Sequence, residues 1–526
     1  MISVITTACD TDELHELNLN PQALNEVNMN YLFTAAQLGA ASGGSAGDNR
    51  YIDWRTNIGY CSYWIQQLAN NGSGGLSAGD KYFENVESDN APWEFIYGDQ
   101  LKNVAEVLKQ TGEGGFEEGR RKNTREAARI LRVLLYHRLT DYYGNIPYSE
   151  ANKGIEGIFL PKYDTQQSIY MDLLKELDEA SAAISASNPD DGFAAADLYF
   201  DGDVAKWKKF GYSLMLRLAM RISNVDATTA ATYVSKAVSG GVFQSNADNV
   251  WVPMSIGPSE WTNQNGISRA FAAGDGGQPS TLAEPLVDML LGANKSISTD
   301  DDPRLLIISN GVNGDKDPLI QRGMPNGLDA GTLDAFLGET QANVNDFFSS
   351  TNQLLLDDDD PYMLMNHAEA EFLMAEAIER GIGTVPGTAK SHYDAGVRSA
   401  MQMYVPYAQG DDAAIDALTV TDAQVDAYLA LYPYTNGAAN SLEMIGTQLW
   451  MSKFLNWWEA WSDWRRTGLP TLTPVNYPGN ITGGRIPRRL RLPTHEQAVN
   501  LSNIEAGATK PLTDIVAGKV WWDGGN

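Results

Sequence analysis

The stretch LRVLLYHRLTDYYGNIPYSEA, residues 131–151, sets the reading of the whole chain. Its first half carries apolar side chains at helical spacing, and its second half stops a helix twice over. Gly144 supplies a residue suited to the left-handed conformation, and Pro147 cannot continue an α-helix. Upstream, Asn123 can cap the same helix, with Glu126 three residues on. Tyr142, Tyr143 and Tyr148 crowd the corner, yet Leu139 to Ala151 holds no cysteine, histidine or obvious nucleophile. The tyrosines are therefore expected to pack the helix end against the next segment.

Outward from this corner the helical pattern repeats. Helices are expected over 30–39, from Trp93 onward, and over 168–184, 203–222, 229–239, 361–381, 388–404, 421–433 and 441–468. Neighbouring ones pair as helix–loop–helix units. AEAEFLMAEAIERG followed by AKSHYDAGVRSAM has the small-residue and aromatic spacing of a tetratricopeptide pair. Strand signal is sparse. The fold class expected is mainly α: tetratricopeptide-like helix pairs forming a scaffold, with an irregular, loop-rich remainder packed on it. Residues 241–360 are rich in Gly, Pro, Asn and Asp and read as a lid or a ligand-facing excursion. Two Gly-rich loops, 41–50 and 70–80, flank the aromatic segment 50–70 in the manner of a binding surface.

Composition narrows the function. The 526 residues, 43% hydrophobic with 13 tryptophans, can bury a large core, and length alone allows three or four domains. The formal charge of −29 sets aside nucleic acid and anionic lipid as partners of a basic patch. Cys9 and Cys61 are too few for a disulfide framework or a cysteine zinc site, and Cys61 reads as a buried free thiol. No run of 18 apolar residues is present. MISVITTAC, residues 1–9, looks like the tail end of a lipoprotein signal without its basic start, with Cys9 as the residue acylated. The alternative is an ordinary residue in an N-terminal tail.

Catalytic signatures are missing. The five histidines show no metal spacing, and no GxSxG, P-loop or GxGxxG is present. Glu459 and Asp463 lie four apart on one helix, and the plainer assignment makes them partners of Arg465 and Arg466. The run DDDD, 357–360, lacks the spacing of an EF-hand and reads as a solvated loop before a helix from 361, with Asp360 favouring its N-terminus. Trp450, Phe454, Trp457, Trp461 and Trp464 form a stripe expected to be core. No enzyme activity and no cofactor are expected, and a structural calcium ion among the acidic loops is left open.

These segments together resemble one family. LRVLLYHRLTDYYGNIPYSEA, FDGDVAKWKKFGYSLMLRLAMRIS (200–223), DDPRL (301–305), QRGMPNG (321–327), FLNWWEAWSDWRRTGLPTL (454–472) and RIPRRLRLPTHEQAVN (485–500) are similar, in order, to SusD/RagB-like outer-membrane nutrient-binding lipoproteins, second SusD-like subgroup. The resemblance implies residues 1–9 as a signal remnant with acylated Cys9, 10–29 as a tether, and 30–526 as a single helical domain with four tetratricopeptide-like pairs. It implies a lipid anchor at the cell surface of the outer membrane and a SusC-like, TonB-dependent transporter as partner. The protein would act as that transporter's lid, delivering oligosaccharide unaltered; some relatives take peptides or other polymer fragments instead.

A sugar ring has an apolar face and a hydroxyl rim, so its site needs exposed flat aromatics beside amides, carboxylates or arginines. Two clusters meet that requirement. The first is Tyr51, Asp53, Trp54 and Arg55, with Tyr82 and Phe83 after the second loop. The second is Trp251 with Trp261, Asn263 and Gln264. The family's glycan sites draw on the same two regions.

Overall fold

The helix inferred around residues 123–143 spans Lys122–Tyr143 in the computed structural model, which describes residues 28–41, 50–72, 74–257, 263–272, 277, 280–340, 343–513 and 518–525. Its end follows the sequence. Gly144 takes φ 82°, its N–H returns to the Thr140 carbonyl at 2.8 Å, and a Cβ there would meet the Thr509 hydroxyl at 2.1 Å. Backbone angle and close approach both demand glycine. Pro147 follows in a two-residue strand, Ile146–Pro147, antiparallel to Tyr163–Asp164. Tyr142 and Tyr143 are each 1% exposed. The Tyr143 hydroxyl donates to the Asp89 carbonyl at 2.6 Å, and its ring meets Trp93 edge-on at 5.2 Å. The corner is packing, as its composition suggests.

The start of that helix differs from expectation. Asn123 lies inside the first turn and accepts from the Ser185 N–H while donating to the Ser185 carbonyl. The capping acceptor is instead Asp190, whose carboxylate takes the Thr124 N–H at 2.7 Å. Glu126 pairs with Arg129 at 2.9 Å.

We number the scaffold helices α1 (Met29–Ala40), α2 (Leu101–Thr111), α3 (Lys122–Tyr143), α4 (Gln166–Ala183), α5 (Val204–Arg221), α6 (Ala227–Gly240), α7 (His367–Arg380), α8 (Ala389–Met401), α9 (Ala438–Met451) and α10 (Trp457–Thr467). Four hairpins, α3–α4, α5–α6, α7–α8 and α9–α10, stack through contacts of α4 with α5, α5 with α7, and α7 with α9. Helices α1 and α2 cover α3. This is the mainly α, tetratricopeptide-like scaffold that the periodicity predicts.

Two expected elements are corrected. The single helix over 441–468 breaks between Met451 and Trp457, where Leu455 adopts φ 74°. The break turns Lys453 inward to pair with Asp463 and Glu369, and it creates the fourth hairpin. The helix expected from 361 begins at His367, capped by the Asn366 side chain. Tyr362–Met365 is a strand antiparallel to Val250–Val252. Four apolar residues in a row fit either state, and period alone does not separate them. This short ladder closes the base of the central excursion.

A buried ion network crosses the hairpins. Arg217 of α5 holds Glu369 of α7 through bonds of 2.6 and 2.7 Å. Arg221 reaches Glu459 of α10 at 2.7 Å, and His137 Nε2 of α3 lies 3.0 Å from the same carboxylate. Arg466 forks onto Glu376 at 2.5 and 2.7 Å. Glu459 and Asp463 thus share a face, and of the two expected partners only Arg466 reaches them. Arg466 pairs with Asp463 at 3.5 Å, whereas Arg465 lies over the Trp461 ring at 3.6 Å and the Trp522 ring at 4.7 Å. Burial by itself raises the Glu459 carboxyl; Arg217 and Arg221 outweigh it and hold Glu459 well below the usual carboxylate range. The tryptophan stripe is core, with Trp450, Phe454, Trp457 and Trp461 buried and Trp464 half-buried.

Glu459→Gln keeps the shape and removes the charge between Arg217, Arg221 and His137. The expected loss is on the order of 3–5 kcal/mol, read from urea denaturation. A loss below about 1 kcal/mol would show that the arginines find other acceptors.

Candidate functional site

Residues Ile52–Ser62 form a π-helix, a rare state that recurs at functional positions. Its inner face is polar and hydrogen-bonded to neighbouring segments. Asn57 Nδ2 donates to Asp53 Oδ1 at 2.9 Å and to the Leu455 carbonyl at 3.0 Å, and Asn57 Oδ1 accepts the Trp458 N–H at 3.0 Å. The helix is thereby fastened to the α9–α10 junction. Cys61 is a buried free thiol whose pKa burial pushes up.

The outer face carries rings. Tyr51 and Trp54 are half-buried and stack with centroids 5.5 Å apart at 21°. Arg55 lies over the Tyr51 ring at 4.4 Å, Arg50 over the same ring at 4.9 Å, and Phe95 tilts against it at 6.1 Å. Arg55 also reaches Glu87 at 3.4 Å. With Trp54 stacked on it and guanidiniums over it, the Tyr51 ring is held in place, and the cluster is preorganised and rich in donors.

Other residues of the two sequence clusters behave differently. Asp53 is fully buried and accepts from the Tyr362 hydroxyl at 3.0 Å, so it is a structural clamp and presents no acid to the surface. Tyr82 is 1% exposed at φ 57°, with its hydroxyl accepting the Val475 N–H at 3.1 Å; burial pushes it up to about 12. Gln264 is also buried. These three are reassigned to the frame, because sequence shows aromatic and polar neighbours but not which side of a helix faces inward. Phe83 stays half-buried and meets Tyr477 edge-on at 5.4 Å. Trp251 is half-buried against the edge of Tyr407 at 5.5 Å. Asn263 is half-buried, with its carbonyl accepting the Ser255 N–H at 2.7 Å. Trp261 and Cys9 lie outside the described residues.

The two regions do meet. The short helix Gly266–Phe271, just after Gln264, packs on the π-helix, and Tyr362 joins Asp53 to the strand that pairs with Trp251. The second Gly-rich loop is also tied to the excursion. Within Gly75–Lys81, the Asp80 carboxylate pairs with Lys81 at 2.9 Å and accepts from Asn326 at 2.7 Å and the Gly327 N–H at 2.8 Å. This Gly-rich loop is pinned by a buried charge. Arg50, Phe95 and Tyr477 were missed; Arg50 adjoins an aromatic run in sequence, whereas nothing local marks Tyr477.

The acidic run is likewise structural. Asp360 is buried, accepts the Asp357 N–H at 2.8 Å and the Gln409 amide at 3.1 Å, and is pushed up to about 7 by burial. Asp358 pairs with Arg269 at 3.2 Å. Among the described residues, the carboxylate and histidine groups spaced to hold a metal are His137–Asp141–Glu459 and Glu369–Glu459–Asp463. Arg217, Arg221 and Lys453 already occupy the space between those oxygens.

The model of the SusD-like family described as starch-binding and associating with the outer membrane matches residues 21–493. Among solved structures, a chitin-binding protein is 30% identical and superposes with a TM-score of 0.78, over 94% of this chain and 100% of its own. A Bacteroidetes SusD-like protein is 24% identical with a TM-score of 0.76, over 94% and 100%. A chitin-binding SusD homologue from Flavobacterium johnsoniae, 21% identical with a TM-score of 0.74 over 94% and 99%, shares the fold. No curated protein matches.

Asp360 gives a pH test. Its folded value of about 7 lies above the ordinary value of 3.8, so the stability it contributes is full below that ordinary value and is lost as pH rises through about 7. Asp89, raised to about 8 by burial, acts in the same direction. Melting temperature should fall between about pH 4 and 8, and Asp360→Asn should flatten the part of that fall below about pH 7. An unchanged slope would mean that Asp360 ionises freely.

Proposed function

Because this chain belongs to the SusD-like family of starch-binding proteins that associate with the outer membrane, we propose that it binds oligosaccharide at the cell surface and hands it, chemically unaltered, to a SusC-like, TonB-dependent transporter, over which it acts as a lid. A lipid anchor at Cys9 belongs to the same reading. The observation that supports the binding role is the Tyr51–Trp54 stack, half-buried, with Arg50 and Arg55 over the Tyr51 ring. A pyranose presents C–H bonds on one face, which stack on such rings, while its hydroxyls take donors from the guanidinium edges. Phe83–Tyr477 and Trp251 add half-buried rings, and Trp261 remains a candidate from sequence. The absence of chemistry in the proposal has its own support: Glu459 and Asp463 are sealed in ion pairs.

The identity of the 30% identical relative makes chitin oligosaccharides the first probes. In calorimetry against a panel that also includes starch oligosaccharides and peptides, Trp54→Ala should weaken the best ligand by about 5–30-fold, or 1–2 kcal/mol. Unchanged affinity would move binding away from this stack, and preference for peptides would replace the ligand class. Mass spectrometry after long incubation should recover the oligosaccharide at its starting length; shortened products would overturn the non-catalytic role.

A further inference from the structure

The hairpin α7–α8 is joined by the turn 381–388, and three titratable side chains meet beside that turn. Glu371 of α7 lies between two imidazoles. Its Oε1 is 3.0 Å from Nε2 of His367, one helical turn back, and its Oε2 is 2.6 Å from Nδ1 of His392 on α8. The other nitrogen of His392, Nε2, is 2.8 Å from the Pro386 carbonyl in the turn. Gly387, at φ 91°, lets the chain pass this close, since a Cβ there would come to 3.1 Å from the same nitrogen.

The two histidines differ in what their second nitrogen faces. His367 Nδ1 meets the Ser399 hydroxyl at 3.1 Å, and a hydroxyl can give or take a hydrogen bond. His367 can therefore serve Glu371 in either charge state. His392 has an ionised carboxylate on one side and a carbonyl on the other, and both only accept. A neutral imidazole has one N–H, so His392 satisfies both partners only as the imidazolium. Burial alone would lower the pKa of His392; the bonds to Glu371 and Pro386 outweigh burial and raise it above the ordinary 6.5. Burial alone would raise Glu371; the two imidazoles outweigh it and hold Glu371 below the ordinary 4.5.

Among the described residues, the other charges on the elements around His392 are engaged elsewhere. On α8, Lys390 pairs with Asp394, and Arg398 takes Asp422 and Asp426 of the helix packed on it. On α7, Arg217 holds Glu369, Arg466 holds Glu376, and Glu379 accepts from Tyr434 and Ser441. Glu443 of α9 accepts from the Thr471 N–H, Lys209 holds Asp248, and Lys236 of α6 takes Asp178. The turn has no ionisable side chain of its own. It rests on α6, where Gly383 packs against Ala231 and Val234 and the Thr384 N–H donates to the Ser235 hydroxyl at 2.8 Å.

We propose that Glu371, His392 and the Pro386 carbonyl form a pH-sensitive clasp on the turn 381–388. With His392 protonated, the clasp ties the turn to both helices of its hairpin, and the turn ties that hairpin to α6. When His392 loses its proton, one of its two acceptors is left facing a lone pair, and the turn is released. His367 stays on Glu371, so release is confined to the turn side. The stability contributed by Glu371 is full above 4.5 and is lost as pH falls through its lowered value. That contributed by His392 is full below 6.5 and is lost as pH rises through its raised value. The clasp is tightest between those two ordinary values.

Two measurements test it. In the wild-type protein with its five histidines labelled with nitrogen-15, His392 should show both ring nitrogens protonated at about pH 6 and should titrate above the ordinary 6.5. His392→Asn identifies the signal, and Glu371→Gln should move its titration down. Hydrogen exchange, with the intrinsic effect of pH divided out, should show protection of peptides covering 381–388 falling about tenfold or more between about pH 6 and 9, the worth of a charge-assisted hydrogen bond. The Val250–Val252 ladder should keep its protection over the same range, and His392→Asn should remove the pH dependence of the turn. A single ring proton on His392 at about pH 6 would overturn the clasp, and that reading needs no variant to fold. Turn protection that ignores pH, a fall shared equally by the turn and the ladder, or a fall that persists in His392→Asn would overturn it as well.

Discussion

The structure depends on the capture of Arg217 and Arg221 by carboxylates from other hairpins. Each guanidinium is withdrawn from water, and such a charge is tolerable only when its donors are matched by acceptors in fixed geometry. Glu369 supplies that geometry from α7 and Glu459 from α10. Apolar packing alone would let adjacent helices slide by a turn at modest cost. A bidentate ion pair does not slide, so the network fixes the order and register of the stacked hairpins. Lys453 shows the same logic from the other side. Its inward turn requires the break in the last long helix, and the strained φ of Leu455 is the local cost of satisfying that ammonium.

The ring surface is an extension of this frame. Asn57 fastens the π-helix to the residues that break α9 from α10, and Asp53 fastens it to Tyr362 beside the excursion. Tyr51 and Trp54 are carried on a helix whose opposite face is already bonded. Under the proposed binding role, their stack would lose little conformational freedom when a flat ligand lands on it, which is how aromatic surfaces gain affinity. The Asp80–Lys81 pair serves the same end by holding the neighbouring loop against Asn326 and Gly327.

The scaffold was legible in the sequence because its signals are local. Period, Gly144 and Pro147 place α3, and small residues at helical spacing place α7 and α8. What was not legible depends on partners far away in the chain. Asp190 replaces Asn123 as the cap of α3, and no local pattern announces a donor from another segment. The sequence offers Glu459 and Asp463 the nearest cations, Arg465 and Arg466, and of these Arg466 reaches Asp463. Their main partners come from α5 and from the α9–α10 turn. The candidate site divides along the same line. Tyr51, Trp54 and Arg55 lie together because they are adjacent, whereas Asp53, between them, turns inward to meet Tyr362. The side on which a residue falls depends on the π-helical twist, and the sequence carries no mark of that twist.

The balance of charge inside the frame bears on what can approach from outside. Arg217, Arg221, Lys453 and Arg466 stand against Asp141, Glu369, Glu376, Glu459 and Asp463 in buried ion pairs. These pairs nearly cancel in formal charge, so most of the −29 of the whole chain resides elsewhere. Acidic groups spread over the exterior repel polyanions until salt screens them, over about 8–10 Å at physiological strength. Sulfated or uronate-rich polymers are therefore disfavoured before any contact forms. Neutral polymers meet no such barrier, and polymers carrying free amines are drawn in. Under the proposed binding role, an acidic coat around an ion-paired interior would sort polymers by charge at a distance and leave the aromatic faces to discriminate among those that arrive.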